Sequence, residues 1–206
     1  MVHEVTVQEA IDVCCYFDID EKTGHGVLID PGAEGELLLR IIREKGWTME
    51  KILLTHGHFD HMGGIHAIHR EMDIPVWIHE EGKAYLLDSA LNLSQMFGES
   101  ITLTNANYFR DGDEIRYADG SKSLRVIHTP GHTRDSVLLY DAKEGYAFTG
   151  DTIFKASVGN CMFPLGDEKQ MWKSIRERVF ALPEETVLYP GHSEPTTVGA
   201  ERRWYM

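Results

Sequence analysis

The chain has 206 residues, 42% hydrophobic and 26% charged, with a formal net charge of −13, which suits one sizeable soluble core. The acidic surplus argues against a nucleic-acid partner, whose phosphates need clustered Lys and Arg. No run approaches ~18 apolar residues, so no membrane span is expected, and the start Met1-Val2-His3-Glu4 lacks the segments of a signal peptide. Three cysteines, Cys14, Cys15 and Cys161, make no disulfide framework, and a reducing cytoplasm is the expected compartment. Cys14 and Cys15 are neighbours in an expected strand. They should face opposite sides as small buried hydrophobes.

Residues 2–7, 13–19 and 27–29 read as strands of a meander, with the polar turn Glu21-Lys22-Thr23-Gly24 before the third. Asp30-Pro31-Gly32 ends that strand, since Pro31 cannot continue a ladder. Asp30 there suits a turn cap or an acceptor behind a metal-bound histidine equally well. Residues 36–46 carry Leu37, Leu38, Ile41 and Ile42 at one-turn spacing and stop at Gly46, the pattern of a helix.

The strand 52–54 then runs into Thr55-His56-Gly57-His58-Phe59-Asp60-His61-Met62-Gly63-Gly64, where three imidazoles and one carboxylate fall within six positions. Such groups on a strand-to-helix loop are donors for zinc, iron or manganese. Crowding them has no local structural use, because unpartnered polar groups cost free energy when desolvated together.

A helix over 65–72 follows, with His66 and His69 expected at the surface, then a strand over 75–78 ending at a structural His79. Residues 80–110 are less regular, with a helix around 82–87. Met96, Phe97, Tyr108 and Phe109 read first as a patch of core under a long loop and second as a lid or pocket wall.

After a turn at 111–114, the strand 123–128 leads into Thr129-Pro130-Gly131-His132-Thr133. Strands over 136–140 and 146–149 follow, the latter ending in Gly150-Asp151-Thr152. Residues 168–182 form an amphipathic helix with Met171, Trp172, Ile175, Val179 and Leu182 on one stripe, and 186–189 is a strand running into Pro190-Gly191-His192. Several strands thus end in a glycine turn followed by His or Asp. Their side chains converge only if the strands lie side by side with those ends at one edge. No repeat or linker divides the chain, so residues 1–206 are expected to form a single domain.

On His56-x-His58-x-Asp60-His61, His132, Asp151 and His192, in that order, the chain resembles the metallo-β-lactamase-fold superfamily. Thr129-Pro130-Gly131-His132-Thr133, Gly150-Asp151-Thr152 and Tyr189-Pro190-Gly191-His192, with Pro195-Thr196-Thr197 after them, look most like its small glyoxalase II-like (hydroxyacylglutathione hydrolase-like) members. The likeness spans Ile29-Asp30-Pro31-Gly32 to His192. It implies an α/β fold, an αββα four-layer sandwich, and two divalent metal ions, zinc first with iron or manganese as alternatives. His56, His58 and His132 would hold one ion and Asp60, His61 and His192 the other, with Asp151 bridging both. Asp30 would then support a metal-bound histidine. The implied reaction is attack by a metal-bridging hydroxide on the carbonyl of a small-molecule thioester or ester, with Asp60 and Asp151 as the carboxylates of the catalytic centre.

The chain also departs from those relatives. Full-length glyoxalase II enzymes carry a C-terminal helical region that contributes to glutathione recognition, whereas fourteen residues follow His192 here. Asn160 and Met162 stand where small relatives often have Arg and Asp. Cys161 is a thiol near the expected site, read first as packed and neutral, and Arg134 is read first as a surface residue and second as a substrate-carboxylate binder. Two further activities share this text. One is a mononuclear non-haem iron enzyme of the persulfide dioxygenase type, its iron held by His56, His132 and Asp151; the other is a lactonase.

Overall fold

The chain's computed structural model describes residues 1–8 and 10–205. Two six-stranded sheets are each hydrogen-bonded in simple sequence order. The first holds β1 (Val2–Gln8), β2 (Asp12–Ile19), β3 (His25–Ile29), β4 (Thr48–Leu53), β5 (Val76–His79) and β6 (Asn107–Phe109). The second holds β7 (Glu114–Tyr117), β8 (Lys122–His128), β9 (Val137–Asp141), β10 (Tyr146–Gly150), β11 (Val187–Pro190) and β12 (Thr196–Thr197). Among the described residues five α-helices accompany them: α1 (Gly35–Lys45), α2 (Ile65–His69), α3 (Lys83–Leu87), α4 (Glu168–Ser174) and α5 (Val198–Tyr205).

Strand alternation sorts the side chains into three cores. Cys15, Phe17 and Ile19 of β2 face outward, packing with Leu38, Leu39 and Ile42 of α1 and Ile65 and Ile68 of α2. Cys14 and Tyr16 face inward, in a layer between the sheets with Val27, Ile29, Leu124, Val126 and Phe148. The neighbouring cysteines therefore serve different cores, as alternation requires. On the far side Ile127, Leu138 and Ala147 pack with Met171, Ile175, Val179 and Val198. Each fully buried side chain of Leu, Ile or Phe size contributes about 1.5–3 kcal/mol. The layers run helix, sheet, sheet, helix: an α/β sandwich.

Some boundaries differ from expectation. Asp167 caps α4 by accepting from the Gln170 backbone N–H at 3.0 Å, but the helix widens into a π turn over Ile175–Val179, so 168–182 is not one continuous α-helix. The helix after the His-rich loop stops at His69, with His66 and His69 both exposed. The short β6 and β12 and the helix α5 were not expected from pattern. Among the described residues no helix is long and apolar enough to cross a membrane.

Strand direction places the site. β3, β4 and β5 run parallel. In the second sheet β9 is antiparallel to both β8 and β10, while β11 is parallel to β10, so β8, β10 and β11 share a direction. Backbone bonds lace these ends together across the sandwich. Val137 N–H donates to Thr55 O at 3.0 Å and Cys14 N–H to Gly191 O at 2.7 Å. The C-terminal ends of β3, β4, β8, β10 and β11 therefore meet along one edge.

Candidate metal centre

Each strand ending at that edge delivers polar side chains. β3 is followed by Asp30, and β4 by the loop bearing His56 and His58, which continues into a 3₁₀ turn over Phe59–His61. β8, β10 and β11 are followed by His132, Asp151 and His192. The side chains gather into three overlapping groups: His56, His58 and His132; His56, His61 and Asp151; and Asp60, His61 and His192. Within each group the candidate ligand atoms lie within 4.8 Å of one another.

Hydrogen bonds from the outer ring nitrogens decide which nitrogens face inward. His61 Nδ1 donates to Asp30 Oδ2 at 3.0 Å, His132 Nδ1 to Asn160 O at 2.8 Å, and His192 Nδ1 to Asp12 O at 2.6 Å. Their Nε2 lone pairs are left pointing into the site, the usual arrangement behind a metal-bound imidazole. His58 is turned the other way: its Nδ1 lies 3.1 Å from His56 Nε2 and 2.9 Å from His132 Nε2. His61 Nε2 and His192 Nε2 are 3.3 Å apart.

Lone pairs facing one another at these distances repel, so the inward-facing nitrogens need an electron-pair acceptor between them. Two nitrogens tetrahedrally bound at ~2.0–2.1 Å to one cation sit about 3.3 Å apart, close to these separations. His58 Nε2 and Asp151 Oδ1 are also buried without hydrogen-bond partners. The donor set fits divalent cations.

Asp151 sits between the groups. Its Oδ2 is 3.4 Å from His132 Nε2 and 3.5 Å from His192 Nε2, and its Oδ1 is 3.4 Å from His61 Nε2. Asp60 Oδ2 lies 3.3 Å from His192 Nε2. Backbone shape permits the approach at Gly191, where a Cβ would come within 2.5 Å of Asp151 Oδ1 and 2.7 Å of His61 Cε1. Asp30 has a φ of 50°, a left-handed conformation that aspartate tolerates better than most residues. In that pose its carboxylate also accepts from Thr55 N–H at 2.8 Å and Thr55 Oγ1–H at 2.6 Å.

Electrostatics prepares His56, His58 and His132 and the two carboxylates as ligands at neutral pH, whereas the nearby carboxylates, against burial, raise His61 and His192. Burial holds His58 down to about 3 and His56 well below its ordinary value, aided by the neighbouring imidazoles. Burial would raise Asp151, but the positive charge available on His61, His192 and His132 outweighs it and holds the carboxyl well below the usual range. Asp60 follows the same logic. His61 runs opposite: burial would lower it, yet Asp30, Asp151 and Asp60 together raise it well above 6.5. A cation arriving there displaces a proton from His61.

A pocket of about 330 Å³ opens onto His58, Asp60, His132, Asp151 and His192. Met96 and Phe97 line it, while Phe109 is buried in the inter-sheet core and Tyr108 is exposed away from the pocket. The segment first read as a core patch therefore splits, and its pocket-wall part is Met96 and Phe97. Arg134 and Cys161 do not line the pocket. Arg134 is exposed, its backbone N–H donating to the Tyr85 hydroxyl at 3.1 Å. Cys161 packs partly against the α4 side of the core, and burial lifts its thiol to about 11. Sequence reading missed Thr55, which links Asp30 to the His-rich loop, and the fully buried Asp135, which lies against Gly57 and which burial pushes up to about 7.

The metallo-beta-lactamase superfamily profile matches residues 19–192. A probable metallo-hydrolase, YqgX of Bacillus subtilis, is 36% identical over 85% of this chain and 83% of its own length. Hydroxyacylglutathione hydrolase GloC of Haemophilus influenzae is 33% identical over 89% and 86%. Among solved structures, BLEG-1 B3 metallo-beta-lactamase superposes with a TM-score of 0.91 at 32% identity, covering 98% of this chain and 97% of that one. TTHA1623 in a di-iron-bound form gives 0.86 at 32%, with the same coverages. ETHE1 from Myxococcus xanthus gives 0.80 at 28%, covering 98% and 82%.

Proposed function

This chain belongs to the metallo-β-lactamase superfamily, and from that premise we propose that it is a binuclear metal-dependent hydrolase of the glyoxalase II-like type, acting on a thioester or small ester. The observation that carries this reading is the position of Asp151, whose two oxygens lie between the His132 side and the His61–His192 side of one cluster. His56, His58 and His132 would hold one ion, Asp60, His61 and His192 the second, and Asp151 both. Zinc suits the nitrogen and oxygen donors; the di-iron form of TTHA1623 keeps iron beside it, and manganese accepts the same groups.

Such cations, when bound, supply water acidic enough to yield hydroxide near neutral pH and polarise the substrate carbonyl. The chain's own part is placement. Asp30 and the carbonyls of Asp12 and Asn160 lock three imidazoles in the tautomer with Nε2 inward. Asp60 lines the pocket with a carboxylate kept charged, 3.3 Å from His192 Nε2 and placed to orient the water. In the net reaction water oxygen bonds to the carbonyl carbon, the carbon–sulfur bond breaks, and the thiolate leaves to be protonated. No Ser–His or Cys–His pair is required.

Relatives named as hydroxyacylglutathione hydrolase support thioesters as the first substrates to try. A lactone ring presents a similar carbonyl to the same site. A single iron held by His56, His132 and Asp151 is the second reading, and the 3.4 Å approach of Asp151 Oδ2 to His132 Nε2 serves it as well as the first. Anaerobic assay separates the two. The hydrolase cleaves a thioester without oxygen, and thiol-dependent oxygen uptake without anaerobic cleavage would overturn it.

A further inference from the structure

The pocket over the metal centre has an unusual wall. Ile11 from the β1–β2 turn, Met96 and Phe97 from the loop after α3, and Phe154, Val158 and Phe163 from the segment after β10 all line it. Among the described residues, Asn160 is the one polar side chain lining it apart from the candidate ligands. Its Oδ1 is already taken by the Met162 N–H at 2.9 Å. Among the described residues no Lys or Arg lines the pocket. Lys155, beside Phe154, is paired with Glu194 at 2.8 Å.

These apolar groups stand directly on the metal centre. The Phe163 ring meets the His58 ring edge-on at 5.7 Å and the His132 ring at 6.1 Å, and Phe154 meets His192 at 5.9 Å. Phe97 is seated on Phe59 at 4.8 Å, so its place is fixed although it remains 47% exposed. Met96, unbranched and 70% exposed at the rim, is a side chain able to fold over ligands of varied shape. Large apolar groups held open to water at a pocket mouth are free-energetically unfavourable unless something apolar covers them. A substrate carboxylate buried among these apolar side chains, away from the metal centre, would lose its hydration with no Lys or Arg beside it among the described residues.

Resting on the hydrolase reading, we propose that the substrate carries an uncharged, apolar acyl chain next to the scissile carbonyl, seated against Met96, Phe97, Phe154 and Phe163. The site is then selective for medium-chain acyl thioesters over short or anionic ones.

The test uses metal-loaded enzyme and N-acetylcysteamine thioesters, which keep the thiol small and neutral while the acyl group changes from acetyl to hexanoyl to succinyl. Each buried methylene is worth about fourfold, so kcat/KM should rise by about tenfold or more from acetyl to hexanoyl and fall for succinyl. S-lactoylglutathione should also fall below hexanoyl. Met96→Lys should narrow the hexanoyl-to-acetyl ratio severalfold. As a readout independent of turnover, the thioether S-hexyl-N-acetylcysteamine should bind the loaded wild type in calorimetry and bind Met96→Lys more weakly. Equal rates for acetyl and hexanoyl, or faster cleavage of succinyl or S-lactoylglutathione, would overturn the inference. Thioether binding with no thioester cleaved would support the apolar subsite while removing the hydrolase reading.

Discussion

Asp30 shows how one side chain ties the scaffold to the chemistry. It accepts from Thr55 N–H, Thr55 Oγ1–H and His61 Nδ1–H at once, at 2.8, 2.6 and 3.0 Å, in a buried setting. Removing such a group behind a metal ligand typically costs ~10–100-fold in metal affinity. Asp30→Ala is expected to show a loss of that size in competition against a chromophoric chelator. Asp30→Asn, which can keep an acceptor and tolerates the left-handed backbone, should lose less. Unchanged affinity in Asp30→Ala would mean that the His61 contact is incidental. The sequence leaves Asp30 ambiguous because a turn cap and a histidine partner look alike in text; the distances separate them.

At the scale of elements, a strand end is the unit that repeats, and two histidines that close strands are not among the proposed ligands. His79 closes β5 in the first sheet and His128 closes β8 in the second. Their rings stack at 4.0 Å with 15° between planes. His128 Nε2–H donates to Arg134 O at 2.7 Å. Burial first, and the adjacent His128 second, hold His79 down to about 4, against the opposing pull of Glu80, Asp111 and Asp113. An unfolded histidine titrates near ~6.5. Between that value and about 4 the unfolded chain takes up a proton that the native chain refuses. The stack's contribution is thus complete above the unfolded value and is lost as pH falls through this window. His79→Phe keeps a stacking ring and should flatten that part of the decline in urea midpoint between pH 7 and 5. An identical slope in both proteins would show that His79 does not titrate this way.

Elements were legible from sequence in proportion to how local their signals are. α1 was readable from apolar spacing and Gly46, which sits in the left-handed cap conformation the pattern implied. The ligand-bearing loops were readable because each carries its own glycine and its own His or Asp. The π turn at Ile175–Val179 was not, since its apolar stripe continues through it. The pocket wall was hidden for another reason. Ile11, Met96, Phe97, Phe154 and Phe163 come from three distant segments, and an apolar residue waiting for a ligand has the same text as one filling a core. The His79–His128 stack joins two sheets, so neither strand announces it.

At the scale of the whole molecule, the two sheets each supply part of one site. The first brings His56, His58, Asp60 and His61 from a single loop; the second brings His132, Asp151 and His192 from three strand ends. This division also explains the His-rich loop. On the proposed reading its four groups are shared between two ions and completed by side chains from the opposite sheet. Asp151 is where the halves join, and its removal should uncouple them. Elemental analysis of purified protein, wild type beside Asp151→Ala, is the most direct measurement. About two divalent ions per wild-type chain are expected, with metal content and anaerobic thioester cleavage falling together in Asp151→Ala. A single ion per wild-type chain, or an Asp151→Ala protein that keeps full metal and full activity, would contradict the account.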